Sequence, residues 1–242
     1  MLAIPAIALR DGHAVLLTAD EGRAKHKDLG DPRDLARRWM GHGFRRLHVA
    51  DLDAESGRGS NASLVRSLLS DGALPIQLSG GIVTTDAAIQ SIDGGADYIV
   101  VGTRALEDGN WLVELVDACP GVVIVALEVR NRRVLARNAG AWTRELPRNA
   151  LDFVEELSRT NLALGGVLVT FTEHATQLQG SDLRLIEDIT ETSVLPLIVA
   201  DGIATMGDLR ALETRGVAGV VLGGALASGL LDARAVADEF SS

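Results

Sequence analysis

Two glycine turns recur in this chain at matched spacing, each after an apolar run, and they are its best candidates for holding a phosphate. Ser79-Gly80-Gly81-Ile82 precedes Val100-Val101-Gly102-Thr103, and Ala200-Asp201-Gly202-Ile203 precedes Val221-Leu222-Gly223-Gly224. Gly81 and Gly102 stand 21 apart, as do Gly202 and Gly223, and the two copies are offset by 121 in a chain of 242 residues. Glycine after a strand lets backbone N–H groups and a helix N-terminus approach an anion with no Cβ in the way. One such turn is ordinary, but two matched pairs point to two phosphate ends. Gly80, Gly81, Gly102 and Thr103 would form the first, and Gly202, Gly223 and Gly224 the second. Asp201 sets a carboxylate where a phosphate dianion would sit, so the second end reads as altered.

Proton transfer at such a site would need a positioned acid or base. The polar residues that fall at strand ends are Asp51, Asp53, Ser79, Glu128, Arg130, Thr170, Glu173, His174 and Asp201. Asp51 and Glu128 form a pair if their carboxyls face a common ligand; the alternative is that Asp51 accepts from loop N–H groups, as buried aspartates do. Glu128 shares a strand face with Arg130, which also allows a plain ion pair. His174, beside Glu173, is either a general base or a solvated loop residue. The basic run Arg23-Ala24-Lys25-His26-Lys27 is either a lid over a ligand phosphate or a solvated loop. His13, His26 and His42 have no evident partner, and His48, within its strand, reads as packed in the barrel or against a helix. No spacing of histidines and carboxylates resembles a metal site, and no cofactor is expected.

The elements that must position these groups alternate along the chain. Eight short β-rich runs cover Leu2–Leu9, Arg46–Leu52, Pro75–Ser79, Tyr98–Gly102, Val122–Val129, Gly166–Thr170, Leu195–Ala200 and Gly219–Leu222. Several are continuously apolar, as parallel strands buried on both faces are. Between them lie amphipathic runs at Pro32–His42, Ala62–Leu69, Thr85–Gly94, Trp111–Ala118, Ala150–Arg159, Asp182–Glu191, Met206–Arg215 and Ala233–Phe240. Asp31, Asn61, Thr84 and Thr205 read as N-caps, with Pro32 at the first helical position, and Gly43, Gly95 and Gly216 as helix stops. Eight strands, eight helices and no linker predict a single (β/α)8 TIM barrel over 1–242, built from two duplicated half-barrels of about 1–121 and 122–242. A doubly wound sheet is the alternative, but the two-fold repeat fits closure better. In such barrels the site lies at the C-terminal ends of the strands.

Composition narrows the function. A net charge of −10 disfavours nucleic acid and anionic membranes as partners. The 47% apolar content supplies a core, yet no run approaches the roughly 20 apolar residues of a membrane span. The start, Met1-Leu2-Ala3-Ile4-Pro5, reads as a strand without the basic flank of a signal peptide. Cys119 is the single cysteine, which excludes an intrachain disulfide and fits the cytoplasm. Lys25 and Lys27 are the only lysines, so the strand ends offer none for Schiff-base chemistry, which disfavours aldolase-type barrels.

Taken in order, these signatures resemble the phosphoribosyl isomerases of histidine biosynthesis, which open the ring of ProFAR in an Amadori rearrangement. Pro5-Ala6-Ile7 with Leu9 and Asp11-Gly12 looks like the family's opening strand and turn. His48-Val49-Ala50-Asp51-Leu52-Asp53-Ala54, followed by Gly57-Arg58-Gly59-Ser60-Asn61, is similar to the actinobacterial form that also serves tryptophan biosynthesis. Leu78–Ile82 and Val101–Glu107 match as well, and the likeness covers essentially the whole chain.

The resemblance implies two catalytic carboxylates, one at the end of the first strand and one after the sixth. Here the first position is Ala8. The family's sixth-strand pattern, Thr-Asp-Ile-x-x-Asp-Gly-Thr, reads Thr170-Phe171-Thr172-Glu173-His174-Ala175-Thr176-Gln177, with Phe171 and Ala175 in place of both aspartates. The fifth-strand carboxylate is kept as Glu128, the arginine expected after the first turn is Leu16, and the arginine two before Trp142 is Gly140. Trp142 matches a position that stacks on substrate, and Ser79 a substrate-facing one. The expectation is a diverged barrel that binds a phosphorylated, ribose-derived small molecule, in which Glu128, His174, Asp51 and Thr170 carry whatever chemistry remains. The alternatives are a non-catalytic sugar-phosphate binder, or a new reaction on a singly phosphorylated substrate in specialised metabolism. Barrels of this family are often monomeric, and a monomer is expected.

Overall fold

The computed structural model describes residues 1–20, 23–138, 141–172 and 178–241. Its strands are β1 (Leu2–Arg10), β2 (His13–Asp20), β3 (Arg23–Gly30), β4 (Leu47–Asp51), β5 (Ile76–Ser79), β6 (Tyr98–Val101), β7 (Val123–Arg130), β8 (Arg133–Asn138), β9 (Ala141–Asn149), β10 (Gly166–Phe171), β11 (Leu197–Ala200) and β12 (Gly219–Leu222). Eight of them pair in parallel in the order β10-β11-β12-β1-β4-β5-β6-β7, and β10 pairs with β7 to close the ring. This is the (β/α)8 barrel that the alternation predicts, with helices outside.

Strand parity divides the core. Ile4, Val100, Ile124, Leu168, Ile198 and Val221 fill the barrel, with Ala6 and Ala126 packed against them. The alternate residues, such as Ile7, Leu9, Val125, Leu127 and Val199, turn outward into the larger layer under the helices. Burying both faces is why these strands read as unbroken apolar runs.

The helices keep their predicted starts where a side chain caps them. Asp31 accepts from Arg33 N, Thr84 from Ala87 N, and Thr205 forms a reciprocal capping box with Asp208. Asn61 does not cap its helix; its side chain is used elsewhere, as described below.

Two hairpins depart from the plain eight-fold alternation. β2 and β3 follow β1, and β8 and β9 follow β7, all antiparallel. The basic run Arg23–Lys27 is therefore part of strand β3 rather than an irregular loop. Each hairpin turns through two residues at positive φ, Asp11-Gly12 and Asn131-Arg132, the geometry that matches strand twist in a two-residue turn. Both hairpins rise from the C-terminal ends of the barrel strands, over the face where the strand-end residues converge.

Candidate active site

Parity also selects which side chains meet at the mouth. Moving along each strand from the barrel-filling residues, the last inward positions that pair within the parallel ring are Ala8, Ala50, Ser79, Val100, Glu128, Thr170, Ala200 and Val221, with Arg10 and Arg130 following at the same parity in the hairpin arms. Register links them across neighbours: Ala8 with Ala50, Ala50 with Ser79, Glu128 with Thr170, and Thr170 with Ala200. Most are small or apolar, so Ser79, Glu128 and Thr170 supply the polarity of these eight. Paired strands run about 4.8 Å apart, which puts Glu128 and Thr170 side by side over the same space. Ala8 is half-buried on this face. A methyl group there transfers no proton.

Asp51 stands on the opposite parity and does not share a ligand face with Glu128. Its Oδ1 accepts from Ala54 N (3.1 Å) and Asn61 Nδ2 (2.8 Å), and its Oδ2 from Asn61 N (2.7 Å). The paired acid/base arrangement of Asp51 and Glu128 is thus replaced by the structural one. Asn61 extends the network: Nδ2 also donates to Asp53 Oδ2 (2.9 Å), while Oδ1 accepts from Gly12 N (2.8 Å). Asp53 Oδ2 accepts from Asp11 N as well, at 2.7 Å. Desolvation opposes ionisation of Asp53, but these donors and the Arg10 and Arg58 guanidiniums prevail and hold its carboxyl below the usual value. The result is a clamp that fixes the Asp11-Gly12 turn, and with it the first hairpin, to the loop after β4.

His48 is the functional-looking residue that sequence reasoning underrated. It points into the barrel directly below Ser79. Gln77 Nε2 lies 2.9 Å from His48 Nδ1, and His48 Nε2 lies 3.2 Å from Ser79 Oγ. With the Gln77 amide donating to Nδ1, the imidazole carries its proton on Nε2 and donates to Ser79 Oγ, whose hydroxyl in turn reaches Val49 O at 3.4 Å. Ser79 then keeps a lone pair for a ligand donor. Burial pushes the imidazole down to about 4, so it is neutral at ordinary pH. Gln77 Oε1, fully buried, has no protein partner. A polar residue at an inward position of an otherwise apolar strand is the signal that marks this group.

The glycine turns differ in what they do. Gly80 has φ +100, and a Cβ there would meet Asp51 O at 2.3 Å; at Gly81, φ +73, it would meet Ala54 Cβ at 2.7 Å. Both glycines let β5 press its turn against the loop after β4. Gly102, by contrast, has open space where a Cβ would stand, and no side chain caps the short helix Thr103–Glu107 that it starts. Gly223 and Gly224 open a matching four-residue helix, Gly224–Ala227. Asp201 adopts φ +64 before Gly202 at φ +71. Its side chain is exposed to solvent, and desolvation by the surrounding protein raises its carboxyl above the ordinary value.

Glu173, His174 and Ala175 lie outside the described residues. Trp142 belongs to β9 by its backbone, in register with Arg137, and its side chain is likewise outside them. Among the described residues no group of three or more His, Cys, Asp or Glu gathers as a metal would need, and no helix is long and apolar enough to cross a membrane.

Comparison with known proteins gives the barrel a family. Residues 2–232 match the histidine biosynthesis protein family. The chain belongs to that family. A Gemmatimonas aurantiaca protein named 1-(5-phosphoribosyl)-5-((5-phosphoribosylamino)methylideneamino) imidazole-4-carboxamide isomerase is 45% identical over 242 residues, with all of both chains covered. A Myxococcus xanthus protein of the same name is 41% identical over 242 residues, again with full coverage of both. A third, from Methanocaldococcus jannaschii, is 28% identical over 233 residues, 96% of each chain. Membership of the histidine biosynthesis family fits the barrel and its glycine turns.

Proposed function

We propose that this chain is a diverged phosphoribosyl isomerase barrel that binds a phosphorylated, ribose-derived small molecule at its mouth, with ProFAR isomerisation reduced far below that of its relatives. One observation carries this reading. The position that the family resemblance assigns to the first-strand acid is Ala8, inward-facing at the mouth and in register with Ala50. Loss of one general acid or base costs roughly 10²–10⁴-fold in rate.

In this reading Gly102 and Thr103 receive a phosphate, Ser79 accepts from a ligand hydroxyl or amine, and Glu128 with Thr170 faces the ribose-derived part. Any remaining proton transfer, as in an aldose–ketose type isomerase, falls to Glu128 and to His174, which follows β10 in the sequence. The chain is proposed to act in the cytoplasm as a monomer. Ala8 equally favours a second reading, a non-catalytic sugar-phosphate binder.

Turnover of ProFAR by purified protein, beside the Ala8→Asp, Ala175→Asp double variant, separates the two. Wild-type turnover well above background supports the enzyme and sinks the non-catalytic reading. No wild-type turnover, with gain in the double variant, shows a scaffold that still recognises the old substrate without acting on it. Parallel assays with phosphoribosyl anthranilate test the likeness to the form that also serves tryptophan biosynthesis.

A further inference from the structure

The inference here rests on the reading of the mouth as a sugar-phosphate site, and concerns what its two ends accept. The 121-residue offset makes Asp201-Gly202 the counterpart of Gly80-Gly81. The backbones agree: φ is +100 and +73 in the first turn, and +64 and +71 in the second. In the first turn a side chain at Gly80 is impossible, because its Cβ would fall 2.3 Å from Asp51 O. In the second turn the same position holds a full carboxylate in a left-handed conformation, which aspartate tolerates better than most residues.

The neighbouring turn has changed as well. Leu16, on hairpin strand β2, brings its Cδ1 to 3.8 Å from where a Cβ on Gly224 would stand, and Ala6 Cβ lies 3.7 Å from the corresponding point on Gly223. The end after β11 and β12 is therefore bounded by a carboxylate and two apolar side chains. The end after β6 keeps open space at Gly102. A dianion brought near a carboxylate in a partly desolvated mouth meets repulsion that bulk water does not screen.

We propose that Asp201 and Leu16 make the β11–β12 end of the mouth refuse a phosphate dianion and accept a neutral hydroxylated group instead, so that the ligand carries one phosphate, seated at the β5–β6 end. As a carboxylate Asp201 offers acceptor oxygens to a ligand hydroxyl while repelling an anion.

The test is calorimetric binding of ribose 5-phosphate and of ribulose 1,5-bisphosphate at pH 8 to the wild type, Asp201→Gly and Asp201→Asn. Glycine and asparagine both tolerate positive φ, so the turn survives in each variant. The wild type is expected to bind the monophosphate at least tenfold more tightly than the bisphosphate. Both variants should narrow that preference at least tenfold, chiefly by tightening the bisphosphate. A wild type that binds the bisphosphate as tightly as the monophosphate, or variants that leave the ratio unchanged, overturns the proposal. Binding of neither ligand by any of the three proteins overturns the sugar-phosphate reading itself, and this inference with it.

Discussion

His48 and Ser79, on adjacent parallel strands, are joined by a 3.2 Å hydrogen bond between Nε2 and Oγ, inside a barrel filled mainly with aliphatic side chains. The imidazole is locked on its other side by Gln77 at 2.9 Å. A neutral ring in this position orients the serine hydroxyl and holds the mouth-facing end of β5 without placing a charge in the core.

The burial of that ring makes folding pH-dependent. Its folded value near 4 lies below the ordinary 6.5, so between those values the unfolded chain binds more protons than the native one. Stability from this group is full above about pH 6.5 and falls as pH drops toward 4. The loss amounts to about 2 kcal/mol between pH 8 and pH 5. Urea denaturation of the wild type and His48→Gln at both pH values isolates the effect. The expected result is a wild-type pH slope steeper than the variant's by that amount. Equal slopes would mean that the ring titrates as an exposed histidine does.

The Asp51 carboxylate is predicted to matter for folding and not for chemistry. Asp51→Ala removes the acceptor for two backbone N–H groups and the Asn61 amide, and loosens the loop that holds the Asp11-Gly12 turn. Hydrogen bonds to a charged, buried acceptor justify a loss of about 3 kcal/mol. Chemical denaturation reads it directly. A change under about 0.5 kcal/mol would show that the network is dispensable.

Several barrel strands are legible in the sequence because burial on both faces writes an uninterrupted apolar run, as in Val122–Leu127 and Gly219–Leu222. The hairpins are not, because Arg23–Lys27 is charged and reads as a solvated loop. Their signal lay in the turns instead: Asp11-Gly12 is a strong two-residue hairpin pair, and Asn131 tolerates positive φ. Asp51 was left with two readings, since its residue type and place on the strand cannot show which face it takes; a one-residue change of parity separates acid from structural acceptor. His48 carries the same ambiguity of face, and of its two readings the structure takes the one inside the barrel. Gly80 and Gly81 read as phosphate glycines, and their positive φ and the close approach of Asp51 and Ala54 require glycine there whether or not a phosphate binds. Such an approach between turns 29 residues apart leaves no local mark.

Gly80 and Gly102 should accordingly separate on substitution. Gly80→Ala drives a Cβ into Asp51 O at 2.3 Å in a backbone conformation that disfavours alanine, and should cost roughly 3 kcal/mol or more, or prevent folding. Gly102→Ala meets no atom within 4 Å and should fold normally. Its methyl instead crowds the approach to the Thr103 end, so affinity for ribose 5-phosphate should fall at least tenfold. Thermal melts and calorimetry on the pair decide it. Unchanged affinity in Gly102→Ala would remove that turn from the phosphate site.

Glu128 offers the sharpest test of residual chemistry. Of the eight last inward positions of the parallel ring it alone is a carboxylate, and Thr170 stands beside it in register. If the Ala8→Asp, Ala175→Asp variant turns over ProFAR, adding Glu128→Gln should lower kcat by roughly 10²-fold or more while KM changes little, because glutamine keeps the shape and loses the proton exchange. Glu128→Asp, which restores the family's shorter carboxylate, should keep or raise kcat in the same background. A glutamine variant with undiminished kcat would assign the proton transfers to the restored aspartates alone and leave Glu128 as an orienting group.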